Sequence, residues 1–229
     1  MISQNIKILE EKIIGVCSKS GRKRSDITLI GISKTQPVER IKEAFECGIN
    51  NFGENKAQEF AKKIDQLDDQ IIWHFVGHLQ SNKVKYVVPY AEYIHSVDSV
   101  KLADEINTRA GKINKVQKIL LEVNTSGEDS KFGLSSLDEL YYLTEYCIKC
   151  SNLKPVGLMT MAPFVSNEKI IKNCFSKLRS ILVDLNGKGF AMNELSMGMT
   201  GDYQFAIEEG ATMLRIGTAI FGERDYSIN

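Results

Sequence analysis

Apolar residues recur along the chain with two alternating periods, which predict helices and strands in turn. The first period is helical, with apolar side chains at steps of four and three over residues 2–18. A polar break follows, and the apolar run over residues 27–32 then predicts a buried strand. The first stripe consists of Ile2, Ile6, Leu9, Ile13 and Val16.

The same alternation of strand and helix continues to the eighth strand. Eight alternating strand–helix units favour a single (β/α)8 TIM barrel, preceded here by one extra N-terminal helix, over an open doubly wound sheet. We treat residues 1–229 as one domain. The predicted strands are 27–32, 50–52, 71–76, 93–97, 119–123, 155–161, 194–197 and 213–216. Capping residues predict the helix boundaries: Pro37 in a first turn, Asp98, Ser136 and Asn167 as N-caps, and Gly48 and Gly111 as ends.

Composition narrows the classes of protein and partner. The 229 residues are 43% hydrophobic, and 29 basic residues balance 29 acidic ones, so charge gives no argument for nucleic acid. No apolar run approaches the roughly 20 residues that cross a bilayer, and residues 1–10 lack the apolar core of a secretory signal. Five cysteines without a dense framework indicate reduced thiols. We expect a cytoplasmic protein with no nucleic-acid or membrane partner.

Two turns after the predicted seventh and eighth strands are candidates for binding a phosphate. Residues 197–202 form a glycine-bracketed turn with the hydroxyl of Thr200, and residues 215–219 offer the backbone N–H groups of Gly217 and Thr218. Glycines let the backbone approach an anion, and helix N-termini point N–H groups at it. A phosphate site after these two strands recurs among barrels. Purely structural turns are the alternative.

Lys34 directly follows the first predicted strand, at the end of a barrel where active sites form. A lone lysine at a strand end is usually solvated. A lysine that is desolvated there becomes less basic, and its neutral amine is the nucleophile that forms a Schiff base. An aldehyde that also carries a phosphate would satisfy both Lys34 and the two turns. These residues therefore point to pyridoxal 5′-phosphate.

Sequence blocks spanning nearly the whole chain resemble the pyridoxal phosphate homeostasis proteins, also called the YggS or PROSC family. The block from Trp73 to Lys83 is the most specific. The family usually has Ser at the position of Thr200, and a threonine there keeps the hydroxyl. The matching blocks are Gly31–Thr35, Asn51–Asn55, Trp73–Lys83, Ile94–Asp98, Gly157–Met161, Leu195–Thr200 and Leu214–Gly222.

The resemblance implies a barrel of the alanine racemase N-terminal type, and a chain that carries and buffers pyridoxal phosphate rather than turning over a substrate. It implies a Schiff base on Lys34 and a monomer that could pass the cofactor to pyridoxal-phosphate-dependent apo-enzymes. The remaining implied cofactor-binding residues are Thr200, Gly217 and Thr218 at the phosphate, Ser196 and Arg215 at the ring, with Arg215 nearest the pyridine nitrogen, and Asn55, His78 and Met159 lining the pocket.

Two rival functions remain open. One is an amino-acid racemase or related enzyme using Lys34, although the chain ends ten residues after Ala219, and we expect no second domain to supply an opposing base. The other is a barrel enzyme acting on a sugar phosphate. We expect no metal site, since the single Cys147-x-x-Cys150 pair lacks a second pair. His74 and His95 are predicted to be satisfied core or rim residues.

Overall fold

The computed structural model describes residues 1–128 and 131–223, so residues 129, 130 and 224–229 of the predicted domain lie outside it. Eight parallel strands form a closed barrel in which each strand pairs with the next. The strands are β1 (Thr28–Ile32), β2 (Asn51–Glu54), β3 (Ile72–Phe75), β4 (Tyr93–Val97), β5 (Gln117–Glu122), β6 (Leu153–Met159), β7 (Glu194–Ser196) and β8 (Met213–Ile216).

Helices alternate with the strands and cover the outside of the barrel. They are α1 (Ile2–Lys19), α2 (Val38–Glu46), α3 (Ala57–Ile64), α4 (Val100–Gly111), α5 (Leu137–Lys149), α6 (Glu168–Gly187), α7 (Tyr203–Glu208) and α8 (Thr218–Phe221), with 3₁₀ turns at Arg24–Asp26 and Ser81–Tyr86.

Pairing between the first and last strands confirms the predicted barrel. Thr28 lies opposite Met213 and Ile30 opposite Arg215, so the sheet has no open edge between β8 and β1. An open doubly wound sheet would leave these strands apart, and that alternative is wrong. All eight predicted strands are present, in the predicted order.

Several predicted boundaries are wrong by a few residues. Helix α4 is capped by Ser99 rather than Asp98, because the Ser99 Oγ accepts a hydrogen bond from the Leu102 N–H at 3.4 Å. Pro37 is the N-cap of α2 and lies just before its first turn. Strand β6 begins at Leu153, two residues early, and the register with β5 shifts next to Pro155. A proline is tolerated in a strand at such an irregularity.

The extra helix α1 takes the position that a full eighth helix would occupy. Helix α8 has only four residues, and α1 packs against α8, α2 and α7. Asn5 fixes this arrangement, since its Nδ2 donates to the Ile220 carbonyl at 3.0 Å. The buried face of α1 consists of Ile2, Ile6, Leu9, Ile13 and Cys17.

The apolar core has two parts. The larger part lies between the strands and the surrounding helices. The smaller part lies in a second cluster that takes residues from alternate positions of the strands, which places it inside the barrel. It contains only Ile30, Leu120, Met159 and Met213 as fully buried members. The remaining interior therefore has room for polar side chains.

Candidate functional site at the carboxyl end of the barrel

Lys34 lies at the carboxyl end of β1, between the ends of β2 and β8. Strand β1 ends at Ile32, and Gly31 pairs with Ile216 of β8. A Cβ on Gly217 would lie 3.6 Å from the Ile32 Cβ, so the turn after β8 approaches the end of β1 closely. The structure thus places the half-buried Lys34 beside the turn that contains Gly217 and Thr218.

The residue before Lys34 is anchored by a buried ionic cluster of Glu54, Glu59 and Lys63. The Ser33 Oγ donates to Glu54 Oε1 at 2.8 Å. The Lys63 Nζ donates to the Ser33 carbonyl at 2.9 Å, to Glu54 at 2.8 Å and to Glu59 at 2.7 Å. Burial raises the pKa of Glu54 although Lys63 opposes that rise. One lysine therefore ties β1, β2 and α3 together directly beneath Lys34.

The residue after Lys34 is anchored by the same cluster. Thr35 adopts a left-handed backbone conformation with φ of 64°, which is strained for a β-branched residue. Its N–H donates to Glu59 Oε1 at 2.8 Å. Burial opposes ionisation of Glu59, but hydrogen bonds from Lys63 and Thr35 outweigh it and lower the pKa of this carboxyl. Lys34 is therefore held between two fixed neighbours.

The two turns predicted to bind phosphate are in contact. The Ala219 N–H donates to the Thr200 Oγ1 at 3.3 Å, which joins the turn after β7 to the start of α8. Asp202 shapes the first turn, since its Oδ1 accepts the Met199 N–H at 2.5 Å. Gly198 has φ of 94°, and a Cβ there would lie 2.6 Å from the Ala206 Cβ. The backbone conformation and the packing of this turn therefore both require a glycine here.

Arg215 and Ser196 are bonded to each other inside the barrel. The Arg215 Nη1 donates to the Ser196 Oγ at 2.5 Å, and its Nη2 donates to the Thr160 carbonyl at 2.8 Å. Burial lowers the pKa of Arg215 to about 10, which still leaves the guanidinium charged at neutral pH. Met159 is fully buried in the interior apolar cluster, on the strand next to Ser196.

Glu122 is a buried carboxyl at the end of β5 to which we assigned no role from the sequence. Burial raises its pKa to about 7, the charge of Asp98 acts in the same direction, and Arg215 opposes the rise. It is a buried carboxyl at the end of a strand whose sequence is otherwise mostly apolar. That isolated charge in an apolar run was the available signal.

Asn55 and His78 line one cavity of about 270 Å³ beside the ends of β2 and β3. The Oδ1 of Asn55 is buried and has no hydrogen-bond partner among the described residues. The His78 ring stacks on Phe132 with a centroid distance of 3.9 Å, and its Nδ1 lies 4.0 Å from Asp98 Oδ2. A buried amide oxygen without a partner is costly unless a ligand or water donates to it.

The structure thus brings most of the predicted residues together in three groups, which lie at the ends or in the turns of the strands on the same side of the barrel as Lys34. Arg215 and Ser196 lie inside the barrel, Thr200 adjoins the Gly217–Thr218 turn, and Asn55 adjoins His78. Sequence reasoning missed the ionic cluster beneath Lys34 and the acid at the end of β5. Those residues are Glu54, Glu59, Lys63 and Glu122.

A separate cavity of about 600 Å³ opens at the opposite, amino-terminal end of the barrel. It is lined by residues at the starts of several strands, among them Thr28, Asn51, Tyr93 and Lys118. Lys118 is neutralised there by Glu92 at 2.6 Å. We expect no chemistry from this end, because barrel active sites lie at the carboxyl ends of the strands.

Comparison with known proteins identifies the family. Residues 32–225 match the family model of the alanine racemase N-terminal domain. The chain is 46% identical to the pyridoxal phosphate homeostasis protein of Aquifex aeolicus, over 94% of this chain and 95% of that one. It is 41% identical to the human protein of the same name, over 87% of this chain and 77% of that one. The chain belongs to the pyridoxal phosphate homeostasis proteins.

Solved structures agree with this family. A protein of unknown function from Bifidobacterium adolescentis has a TM-score of 0.91 at 33% identity, covering 96% of this chain and 94% of that one. PipY of Synechococcus elongatus, solved with pyridoxal phosphate bound, has a TM-score of 0.83 at 31% identity, covering 97% and 100%. Alanine racemase of Streptomyces coelicolor, at 12% identity, a TM-score of 0.68 and coverage of 94% and 58%, shares the fold alone.

The family expected from the sequence motifs is therefore confirmed, as is the barrel of the alanine racemase N-terminal type. Among residues 1–128 and 131–223, no helix combines the length and apolarity that crossing a membrane requires. All five cysteines are free thiols. The individual cofactor-binding residues stay predictions.

Proposed function

We propose that this chain binds pyridoxal 5′-phosphate at the carboxyl end of its barrel and acts as a carrier or buffer of that molecule. The observation that carries the proposal is the position of Lys34. It lies between two anchored neighbours and next to the Gly217–Thr218 turn, at the barrel end where ligands bind. Membership in a family whose PipY member is solved with pyridoxal phosphate supports it.

The residues at this end fit the chemical groups of pyridoxal phosphate. The Lys34 amine would add to the aldehyde carbon and release one water, leaving a Schiff base. Thr200, Gly217 and Thr218 would bind the phosphate with a hydroxyl and backbone N–H groups. The partnerless Oδ1 of Asn55 suits a donor on the ligand, and His78 borders the same cavity.

Arg215 would set the electronic state of the ring. We propose that its guanidinium faces the pyridine nitrogen and keeps that nitrogen unprotonated, because a nearby cation disfavours a second positive charge. An unprotonated ring is a weaker electron sink, so carbanion chemistry is disfavoured. This supports binding without turnover. Ser196 and Met159 would then support the guanidinium and the ring from below.

The absorption spectrum of purified protein after incubation with pyridoxal phosphate tests the proposal. We expect a visible band from the Schiff base, and borohydride reduction should fix the adduct on the peptide that contains Lys34. Lys34→Ala should lose both, whereas Lys101→Ala, at an exposed position of α4, should keep both. A Lys34→Ala protein with the same reducible adduct would overturn the assignment of the lysine.

An amino-acid racemase or related enzyme is the second candidate, and it uses the same lysine. Exchange of an amino acid's α-proton with solvent, dependent on Lys34, would favour it. We expect no such exchange across a broad panel of amino acids.

Binding of sugar phosphates by protein that takes up no pyridoxal phosphate would instead favour a sugar-phosphate enzyme.

We further propose that the protein works as a monomer in a reducing, cytoplasmic compartment and delivers its ligand to apo-enzymes. The five cysteines are free thiols, which supports a reducing compartment, where disulfides rarely form. Delivery is tested by mixing loaded protein with an apo-enzyme that depends on pyridoxal phosphate and following the recovery of that enzyme's activity. Recovery no faster than with an equal amount of unbound ligand would count against delivery.

A further inference from the structure

A continuous line of hydrogen bonds crosses the interior of the barrel from one end toward the other. The Arg215 Nη1 is 2.5 Å from the Ser196 Oγ, and that oxygen is 2.8 Å from His95 Nδ1. The His95 Nε2 is 2.9 Å from His74 Nδ1, and the His74 Nε2 is 3.0 Å from Asn51 Oδ1. We call these five residues the axial chain.

Hydrogen bonds can be donated along the axial chain in only one direction if every donor in it is to have an acceptor. A guanidinium can only donate, so the Ser196 Oγ accepts from Arg215 and its own proton goes to His95 Nδ1. Burial lowers the pKa of His95 well below its ordinary value and that of His74 to about 3, so both rings are neutral. His95 therefore carries its proton on Nε2 and donates it to His74 Nδ1. The last donor is His74 Nε2, and Asn51 Oδ1 is the last acceptor.

The opposite direction leaves a buried proton without an acceptor. If His95 donated from Nδ1 to the Ser196 Oγ, that oxygen would accept two hydrogen bonds, because Arg215 also donates to it. The serine proton would then lack an acceptor along the chain, and leaving a buried donor unpaired costs roughly 1–3 kcal/mol. The Asn51 amide would also have to turn over. The geometry therefore favours the direction from Arg215 to Asn51.

We propose that His95 and His74 are positioning residues for Arg215, acting through Ser196, and that Asn51 fixes the far end of the chain. None of these three residues belongs to the set proposed above to contact the ligand. They orient the Ser196 hydroxyl so that its lone pairs receive the guanidinium, which is also held by the Thr160 carbonyl. The effect on ligand binding rests on the function proposed above, whereas the direction of the chain does not.

The axial chain also connects the two ends of the barrel. Asn51 and His74 line the cavity of about 600 Å³ at the amino-terminal end. Ser196 and Arg215 lie on β7 and β8, near the turns of the candidate site. A change at Asn51 is therefore expected to alter ligand binding at the opposite end, although Asn51 is not a residue of that site.

Nitrogen-15 NMR of the histidine rings in ligand-free protein tests the direction. We expect His74 and His95 each to carry a proton on Nε2 and none on Nδ1, with His78, partly exposed, as an internal comparison. A proton on Nδ1 of either buried ring, or a doubly protonated ring, would contradict the proposed direction of the axial chain. This measurement needs no pyridoxal phosphate, so its result stands even if that ligand is not bound.

A double-mutant cycle on the dissociation constant of pyridoxal phosphate tests the positioning role. Asn51→Ala and Ser196→Ala should each weaken binding about threefold to tenfold, and the double variant should be no weaker than the worse single one. Two independent local effects would instead multiply, and a multiplicative result would overturn the proposal. If the wild type itself fails to bind pyridoxal phosphate, the proposed function is wrong. The NMR experiment then still tests the direction of hydrogen-bond donation along the axial chain.

Two further variants separate positioning from general damage to the barrel. Ser196→Thr keeps the hydroxyl and should restore binding to within about twofold of the wild type. Ser96→Ala removes a buried hydroxyl on the same strand as His95, but that hydroxyl has no hydrogen-bond partner among the described residues. It should leave both the ring protonation and the dissociation constant unchanged. Weakened binding in Ser96→Ala equal to that in Ser196→Ala would contradict the proposal.

Discussion

The pKa of Glu122 depends strongly on the position of its carboxyl inside the barrel. Its carboxyl lies inside the barrel at the end of β5, and burial raises its pKa to about 7. An ordinary glutamate in an unfolded chain has a pKa of about 4.3. Between these values the folded protein binds the proton and the unfolded chain does not. Stability from this group is therefore full at low pH and is lost as pH rises through about 7.

Replacing this acid with its neutral analogue should remove that loss. We expect Glu122→Gln to have nearly the same free energy of unfolding as the wild type at about pH 4, and to be more stable by roughly 2–4 kcal/mol at about pH 8. Urea unfolding of both proteins at the two pH values measures the difference. An equal difference at both pH values would show that the carboxyl ionises normally in the folded state.

Elements in this protein are positioned by contacts that are distant in sequence, and the β1–α2 turn is the clearest case. Ser33 and Thr35 are held by Glu54 on β2 and by Glu59 on α3, and Lys63 connects both acids. Removing one partner of a buried ion pair leaves the other charge uncompensated. The turn that contains Lys34 should therefore lose order when Lys63 is neutralised.

Two neighbouring lysines of α3 provide a matched test. We expect Lys63→Met to lower the free energy of unfolding by about 3–5 kcal/mol, because Glu54 is left buried without its cation. Lys62→Met, at an exposed position one residue earlier, should change it by less than about 0.5 kcal/mol. Urea unfolding gives both values, and amide exchange at residues 33–35 should accelerate only in Lys63→Met. Similar losses in both variants would show that the ionic cluster contributes little.

Helix α1 offers a second matched pair, on one helix and with one residue type. Ile13 is fully buried against the barrel, whereas its neighbour Ile14 is 51% exposed. Ile13→Ala should cost about 2–5 kcal/mol in free energy of unfolding, through lost burial and the cavity that remains. Ile14→Ala should cost less than about 0.5 kcal/mol. If both variants unfold like the wild type, α1 is not part of the cooperative core.

Sequence patterns predicted the strands, and the position of Lys34 just after the first of them, because both depend on local signals. A buried parallel strand is a short apolar run, and the residue after it lies at the functional end of a barrel. The ionic cluster could not be predicted in this way, since Lys63 looks like any charged residue of an amphipathic helix until Glu54 is placed opposite it. His95 posed a different problem: both faces of its strand are buried, so the sequence does not tell which face points inward.

The strands of the molecule form a closed barrel, and its first and last strands pair beside the candidate site. Lys34 follows β1, and the Gly217–Thr218 turn follows β8, so a ligand bound to both would link the two strands across their junction. Strands β4 and β5 lie on the other side of the barrel from that junction. Binding should therefore restrain the β8–β1 junction more than the opposite wall.

Ligand-dependent stability tests this arrangement. Pyridoxal phosphate at about 100 times its dissociation constant should raise the wild type's free energy of unfolding by about 2.7 kcal/mol, since it binds the folded state only. Lys34→Ala should gain clearly less at the same concentration. Amide exchange should slow most in β1 and β8 and least in β4 and β5. Equal slowing in all four strands would mean that the ligand stabilises the barrel globally without linking its first and last strands, and the proposed positions of Lys34 and the phosphate turn would then need revision.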